Sequence, residues 1–141
     1  MEDGPRETFY VNTDFDLKSA APFDALHREL AESCHVLHYT HVDGTWYSIV
    51  EAACVESTGG GGAARDIMSM AAAVSRLSPT AKAELAACSL REFNVGFDCW
   101  DTWSYVHAIP SHVIRAVADI DCSLAVTLYP MRKPDGTPKE D

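Results

Sequence analysis

Asp98, Asp101, Asp119 and Asp121 fall within one stretch, REFNVGFDCWDTWSYVHAIPSHVIRAVADIDCSLAVTLYP, from Arg91 to Pro130. Carboxylates brought to ~5–9 Å from one another can divide general acid and general base work on a glycosidic bond. Their contexts favour a plainer role. Asp101 stands in a turn-like segment, and Asp119 and Asp121 flank a helix end, where Asp is favoured for its local hydrogen bonding. His35, His38 and His41 recur at a spacing of three. On a helix that spacing would gather imidazoles, but the local pattern is that of a strand. There His38 is expected to oppose the other two, with His35 and His41 roughly 20 Å apart. Zinc needs three or four converging ligands, so no metal site is expected.

The sequence DCWDTW offers recognition chemistry instead. Trp100 and Trp103 lie among Asp98 and Asp101, and tryptophan at a polar rim is the composition of an interaction hot spot. The ordinary alternative places Trp103 in the core and Trp100 at the surface, since aromatic burial is the usual fate of tryptophan. Other signatures fail on their chemistry. Gly59 to Gly62 form a four-glycine run, but Ala63 and Ala64 follow where a phosphate-binding loop requires Lys and Ser or Thr. No G-x-S-x-G elbow, H-E-x-x-H helix or kinase signature is present. The five cysteines, Cys34, Cys54, Cys88, Cys99 and Cys122, contain no C-x-x-C pair and are odd in number, which suits reduced, mostly buried thiols.

The elements that must position these residues follow from hydrophobic period. Phe9, Val11, Thr13 and Phe15 alternate with Tyr10, Asn12 and Asp14, predicting a strand that ends near Leu17. Pro22 suits a helical first turn, and Phe23, Leu26, Leu30 and Cys34 then form one apolar stripe. His35 to His41 and Trp46 to Val55 read as a hairpin around Asp43-Gly44. Ile67, Met70, Ala71, Val74 and Leu77 define a helix from Ala63, and Ser78-Pro79 restarts a shorter one over Thr80 to Cys88. Strands are predicted at Leu90–Cys99, Trp103–Ala108 and Ser123–Tyr129, with a helix from Pro110 or Ser111 to Ala118.

The order β-α-β-β-α-β-β-α-β predicts an α+β fold. Its form is a two-layer sandwich, a mainly antiparallel sheet of about six strands with the helices on one face. The uncovered face is then expected to carry Tyr10, Asn12, Asp14, Asn94 and Asp98, which alternate with apolar residues. Residues 1–7 read as a flexible lead-in, 8–130 as one domain and 131–141, which is Pro-rich and charged, as a disordered tail.

With 141 residues, 47% of them apolar, the chain should bury roughly two thirds of its unfolded surface without staples. The formal charge of −10 argues against nucleic acid or an anionic membrane as partner and favours a basic protein. No apolar run reaches the ~20 residues of a membrane helix, and the acidic start lacks a signal-peptide pattern, so a cytoplasmic protein is expected.

The segment LREFNVGFDC resembles a bacterial family of small domains of unknown function. Their late strand reads R-x-F-(N/D)-(V/I)-G-(F/Y)-(D/E), matched here by Arg91, Phe93, Gly96 and Asp98. The family's first and last strands are similar to YVNTDFDL and LAVTLYP, so the resemblance spans Thr8 to Pro130. It offers no activity to carry over to these positions, no cofactor is expected, and it points toward immunity-type proteins that neutralise toxins. From the residues alone, Gly96 in mid-strand marks a bulge or a close backbone approach, and Arg91 at the strand entry is placed either to pair with the neighbours of Glu92 or to cap a helix end. The expected function is a non-enzymatic protein-binding domain for a basic partner, using Trp100, Asp101, Asp98, Trp103 and Asn94. The alternative is a small hydrolase or ligand-binding protein with a cleft lined by Tyr10, Asp14 and Asp98.

Overall fold

The computed structural model describes residues 7–53 and 62–139. Among them the elements run β1 (Phe9–Ser19), α1 (Asp24–Ser33), β2 (Cys34–Val42), β3 (Thr45–Ala52), α2 (Gly62–Ser75), α3 (Pro79–Ala87), β4 (Leu90–Asp98), α4 (Ser111–Asp119) and β5 (Ser123–Tyr129). The strands form one sheet in the order β2-β3-β1-β4-β5. Each neighbouring pair among the first four is antiparallel, so β1 and β2 run the same way, as do β3 and β4, while β5 runs parallel to β4. β3 separates β1 from β2, and β1 separates β3 from β4, so two split β-α-β units interlock. The α4 crossover then adds β5 at the edge.

The fold is α+β as expected, but its sheet is mixed and has five strands. The predicted strand Trp103–Ala108 is irregular chain. The reason is geometric: β4 has β1 on one side and β5 on the other, so it has no edge left for a hairpin return. Helix α1 begins at Asp24, leaving Pro22 outside it and Phe23 at the N-cap. The hairpin forms as expected, with Asp43 and Gly44 at φ 51° and 80°, the positive values a tight β2-β3 turn requires. Cys54, Val55 and Gly59–Gly61, at the end of the predicted second hairpin strand and in the glycine run, lie outside the described residues.

Burial follows the periodicity. Phe15 and Leu17 of β1, Val50 of β3, and Phe93 and Val95 of β4 point to one face. There they meet Leu26 and Leu30 of α1, Ile67 and Met70 of α2, Ala81 of α3 and Val113 of α4. The Phe15 and Phe93 rings stack at 4.5 Å across the β1-β4 pair. Helices α1 and α3 also cap one another. The Ser78 side chain accepts from Ala81 N–H at 3.1 Å, and its own N–H and hydroxyl donate to Glu29 of α1. In return, Leu26 N–H in the first turn of α1 donates to Glu84 of α3 at 2.8 Å. Each carboxylate thus satisfies first-turn or N-cap amides that have no partner within their own helix.

Arg91 closes the C-terminal end of α3. Its guanidinium donates to the carbonyls of Ala86 at 2.9 Å, Cys88 at 3.3 Å and Leu85 at 3.4 Å, and to Asp121 O at 3.0 Å. Asp121, at φ 55°, takes the left-handed position after α4. Its N–H donates to Ala118 O, and that of Cys122 to Val117 O, the paired bonds of a Schellman C-cap. The turn role expected for Asp121 is therefore what the backbone uses, whereas Asp119 is the last residue of α4.

Two irregularities decide which side chains reach the open face. The register slips between Tyr10 and Asn12 in β1, and between Val36 and His38 in β2. An extra residue in a strand breaks the two-residue alternation and moves what lies beyond it to the other face.

Candidate functional site

The open face is built by alternate residues of all five strands. One row across β2, β3, β1, β4 and β5 reads His35, Glu51, Asp14, Asn94 and Ala125, and the next reads His38, Ile49, Asp16, Glu92 and Ser123. Four carboxylates, Asp14, Asp16, Glu51 and Glu92, therefore occupy neighbouring positions on three adjacent strands. Asn12 Nδ2 donates to Glu51 Oε1 at 3.0 Å and to Asp14 Oδ1 at 3.2 Å. Partial burial, with the charges of Asp16 and Glu51 close by, pushes the Asp14 carboxyl up to about 6. Burial and Glu92 raise Asp16 as well, against the opposing effects of Asn94 and Lys18. Asn94 sits in this group as expected, accepting from Thr127 Oγ1 at 2.7 Å.

Tyr10 does not join them. The slip beside Val11 turns it to the helix side, where its hydroxyl donates to Asp66 of α2 and bonds Thr13 Oγ1 at 2.8 Å. Its ring meets Phe97 at 6.1 Å and His107 at 6.0 Å, and Tyr105 closes the group through His107 Nδ1 at 3.2 Å. Burial raises the Tyr10 phenol above its ordinary value, and the bond to Asp66 raises it further. A cleft lined by Tyr10, Asp14 and Asp98 is thus not formed: the three lie in separate places.

Asp98 ends β4 at one extreme of the open face, next to Trp100. The Trp100 indole N–H donates to Asp98 Oδ2 at 2.9 Å, while Asp98 Oδ1 receives Lys139 Nζ at 2.5 Å. The same ammonium donates to Cys99 O at 2.6 Å and Tyr129 O at 3.0 Å, and stands 4.3 Å from the centre of a Trp100 ring. The segment after Pro130, expected to be disordered, delivers this lysine through a closed turn. Arg132 pairs with Pro138, Lys133 N–H donates to Thr137 O, and Lys139 N–H donates to Met131 O. Gly96, two residues before Asp98, proves to be a close approach. A Cβ there would lie 3.1 Å from Asn12 Oδ1 and 3.3 Å from a Tyr129 ring carbon.

Beyond Trp100 the chain crosses the end of the sheet. Trp100 N–H donates to Thr8 Oγ1 and Thr8 N–H to Thr102 Oγ1, which anchor its start. Asp101 is exposed, and Trp103 is 99% exposed. The expectation of a core Trp103 is overturned. With no strand at this position, nothing carries its ring inward, and Phe97, Tyr105 and His107 fill the space beside Tyr10.

The histidine series also divides differently from its sequence reading. The slip at Leu37 puts His38 on the open face with His35, and sends His41 to the other face, stacked on Trp46 at 4.6 Å. Among the described residues no group of three or more His, Cys, Asp or Glu side chains is arranged to hold a metal ion. Burial lifts the Cys88 and Cys122 thiols to about 11, the reverse of what a nucleophile needs. No described helix is long and apolar enough to cross a membrane.

The sequence showed Asp98, Trp100, Asp14 and Asn94. It missed Asp16, Glu51, Glu92, Tyr129 and Lys139. Asp16 was visible in the alternation of NTDFDL, whereas the others enter through strand register and the returning tail. No protein-family model matches the chain, and no curated protein or solved structure is significantly similar to it.

Proposed function

We propose that this chain is a non-enzymatic protein-binding domain of the immunity type, acting in the cytoplasm on a basic protein partner. The observation that carries the reading is the 99% exposure of Trp103 in an acidic setting. A tryptophan held fully in water contributes nothing to the fold, and such side chains are the usual anchors of interfaces. Asp101 beside it, the carboxylates of the open face and the formal charge of −10 set the sign of the partner. Attraction of this kind speeds association and is screened by salt. The family resemblance of REFNVGFD agrees with the reading but rests on the motif alone.

Affinity capture from a lysate of the source, washed at low and then high salt, is expected to retain one basic protein in near-equal amount and to shed it as salt rises. Trp103→Ala and Asp101→Lys should each weaken that complex at least tenfold. Unchanged affinity in both would sink the proposed surface.

A second reading, a small hydrolase or ligand-binding protein, is favoured by the Asp14 carboxyl at about 6 beside Glu51, the range in which a general acid works near neutral pH. Under it, Asp14→Asn abolishes turnover of a substrate found by screening, and unchanged turnover would dismiss it.

A further inference from the structure

We infer that Asp98, Trp100 and the carbonyls of Cys99 and Tyr129 form a recognition cage for a lysine ammonium, which the chain fills with its own Lys139. The inference takes its partner from the reading above: a basic protein that presents a lysine, which must first displace the tail.

The geometry selects among cations. An ammonium has three donors in a tetrahedral array and no acceptor. Lys139 Nζ uses them on Asp98 Oδ1 at 2.5 Å, Cys99 O at 2.6 Å and Tyr129 O at 3.0 Å, with the Trp100 ring 4.3 Å away. A planar guanidinium, whose donors form a rigid fork, does not match three acceptors around one point.

The cage is also made before the lysine enters it. The Cys99 N–H donates to Tyr129 O at 2.9 Å, so the two carbonyls are tied together by the β4-β5 junction. The indole N–H holds Asp98 through Oδ2, and the ammonium meets Oδ1. Neither anchor involves the tail. Among its described residues, 131–139, the tail is joined mainly to itself, through Arg132 to Gly136 O, Asp135 to Thr137, and the Met131–Lys139 return. A strap so built can leave without disturbing the sheet.

An intramolecular occupant competes at an effective concentration on the order of millimolar or above. Removing Lys139 should therefore expose the cage to ligands in solution. The test uses the full-length chain and its Lys139→Gln variant, titrated with Nα-acetyl-lysinamide, Nα-acetyl-argininamide and Nα-acetyl-glutaminamide. The readout is the Trp100 indole N–H resonance, assigned by its loss in Trp100→Phe.

Three results are expected. The Lys139→Gln change alone moves the resonance. The lysine compound then binds the variant at least tenfold more tightly than the wild-type chain, and at least tenfold more tightly than the arginine or glutamine compounds. Adding Asp98→Asn, which keeps an acceptor for the indole, abolishes binding. The inference is overturned if Lys139→Gln leaves the resonance in place, if the variant takes no lysinamide, or if wild type and variant bind it equally. Equal binding of argininamide overturns the selectivity. These outcomes are separable from the fate of the proposed function. A cage that takes lysinamide, together with a partner indifferent to Trp103→Ala and Asp101→Lys, would leave the cage standing and the proposed surface rejected.

Discussion

At the scale of single residues, Asp14 is held against its electrostatic interest. Burial and the neighbouring Asp16 and Glu51 disfavour the charge and push its carboxyl up to about 6. The folded chain therefore binds this proton more tightly than the unfolded chain, whose Asp titrates near 3.8. Stability from this group is fully present below about 4 and is lost as pH rises through about 6. Asp14→Asn should accordingly raise Tm at pH 7.5. The gain is about 2–4 °C if solvent screening leaves roughly 1 kcal/mol of the penalty. The difference should vanish at pH 4, and thermal melts at the two pH values check the sign. Arg91 shows the opposite economy, since one planar fork serves three carbonyls at the end of α3 and a fourth at Asp121. Arg91→Lys keeps the charge but not the fork, and should cost about 1–3 kcal/mol in urea unfolding. Its capping role was one of two that the sequence offered, because Arg91 stands four residues after the end of a short helix. The carboxylates around Asp14 were not legible there, because Glu51 and Glu92 reach it only through strand pairing.

At the scale of elements, α1 and α3 are joined by exchanged caps as well as by apolar contact. Removing the Glu84 carboxylate leaves the Leu26 N–H without its acceptor. Glu84→Ala should therefore destabilise by about 1 kcal/mol in denaturant unfolding while leaving helix content unchanged by circular dichroism. The slips in β1 and β2 act the other way, by relocating residues that periodicity assigns to one face. Val11 sends Tyr10 to Asp66, and Leu37 brings His38 to His35. Nothing in the alternation of FYVNTDF or HVLHYTH marks the extra residue, because both stretches alternate acceptably with or without it. Helix boundaries were easier. Ser78-Pro79 names its own N-cap and first turn, and Ser78 does accept from Ala81 N–H.

At the scale of the molecule, one continuous core ties every helix to the inner face of the sheet. Phe15 and Phe93 stack at its centre, fully buried. Phe15→Ala should cost about 3–5 kcal/mol, read from a cooperative denaturant transition. The outer face is the complement of that core: acidic across its middle strands, with the Lys139 cage at one end and Trp103 projecting beyond it. Acids crowded there lower the stability of the free chain, and a bound cation would relieve them.

The sequence by itself determined what depends on neighbours along the chain. Hydrophobic period, Ser78-Pro79 and Asp43-Gly44 were enough for every observed element in its place, with one strand too many at Trp103–Ala108, and for the inner faces of β1 and β4, the stripe of α1 and the β2-β3 turn. Only the tertiary structure decided what depends on chain segments meeting. Strand order denied β4 a hairpin return and left Trp103 in water. Register assembled Asp14, Asp16, Glu51 and Glu92, and a turn of the tail brought Lys139 back to Asp98. Local free energy can be read from a few consecutive residues, but these pairings are chosen by competition among all the strands and surfaces at once, and no local window contains that competition.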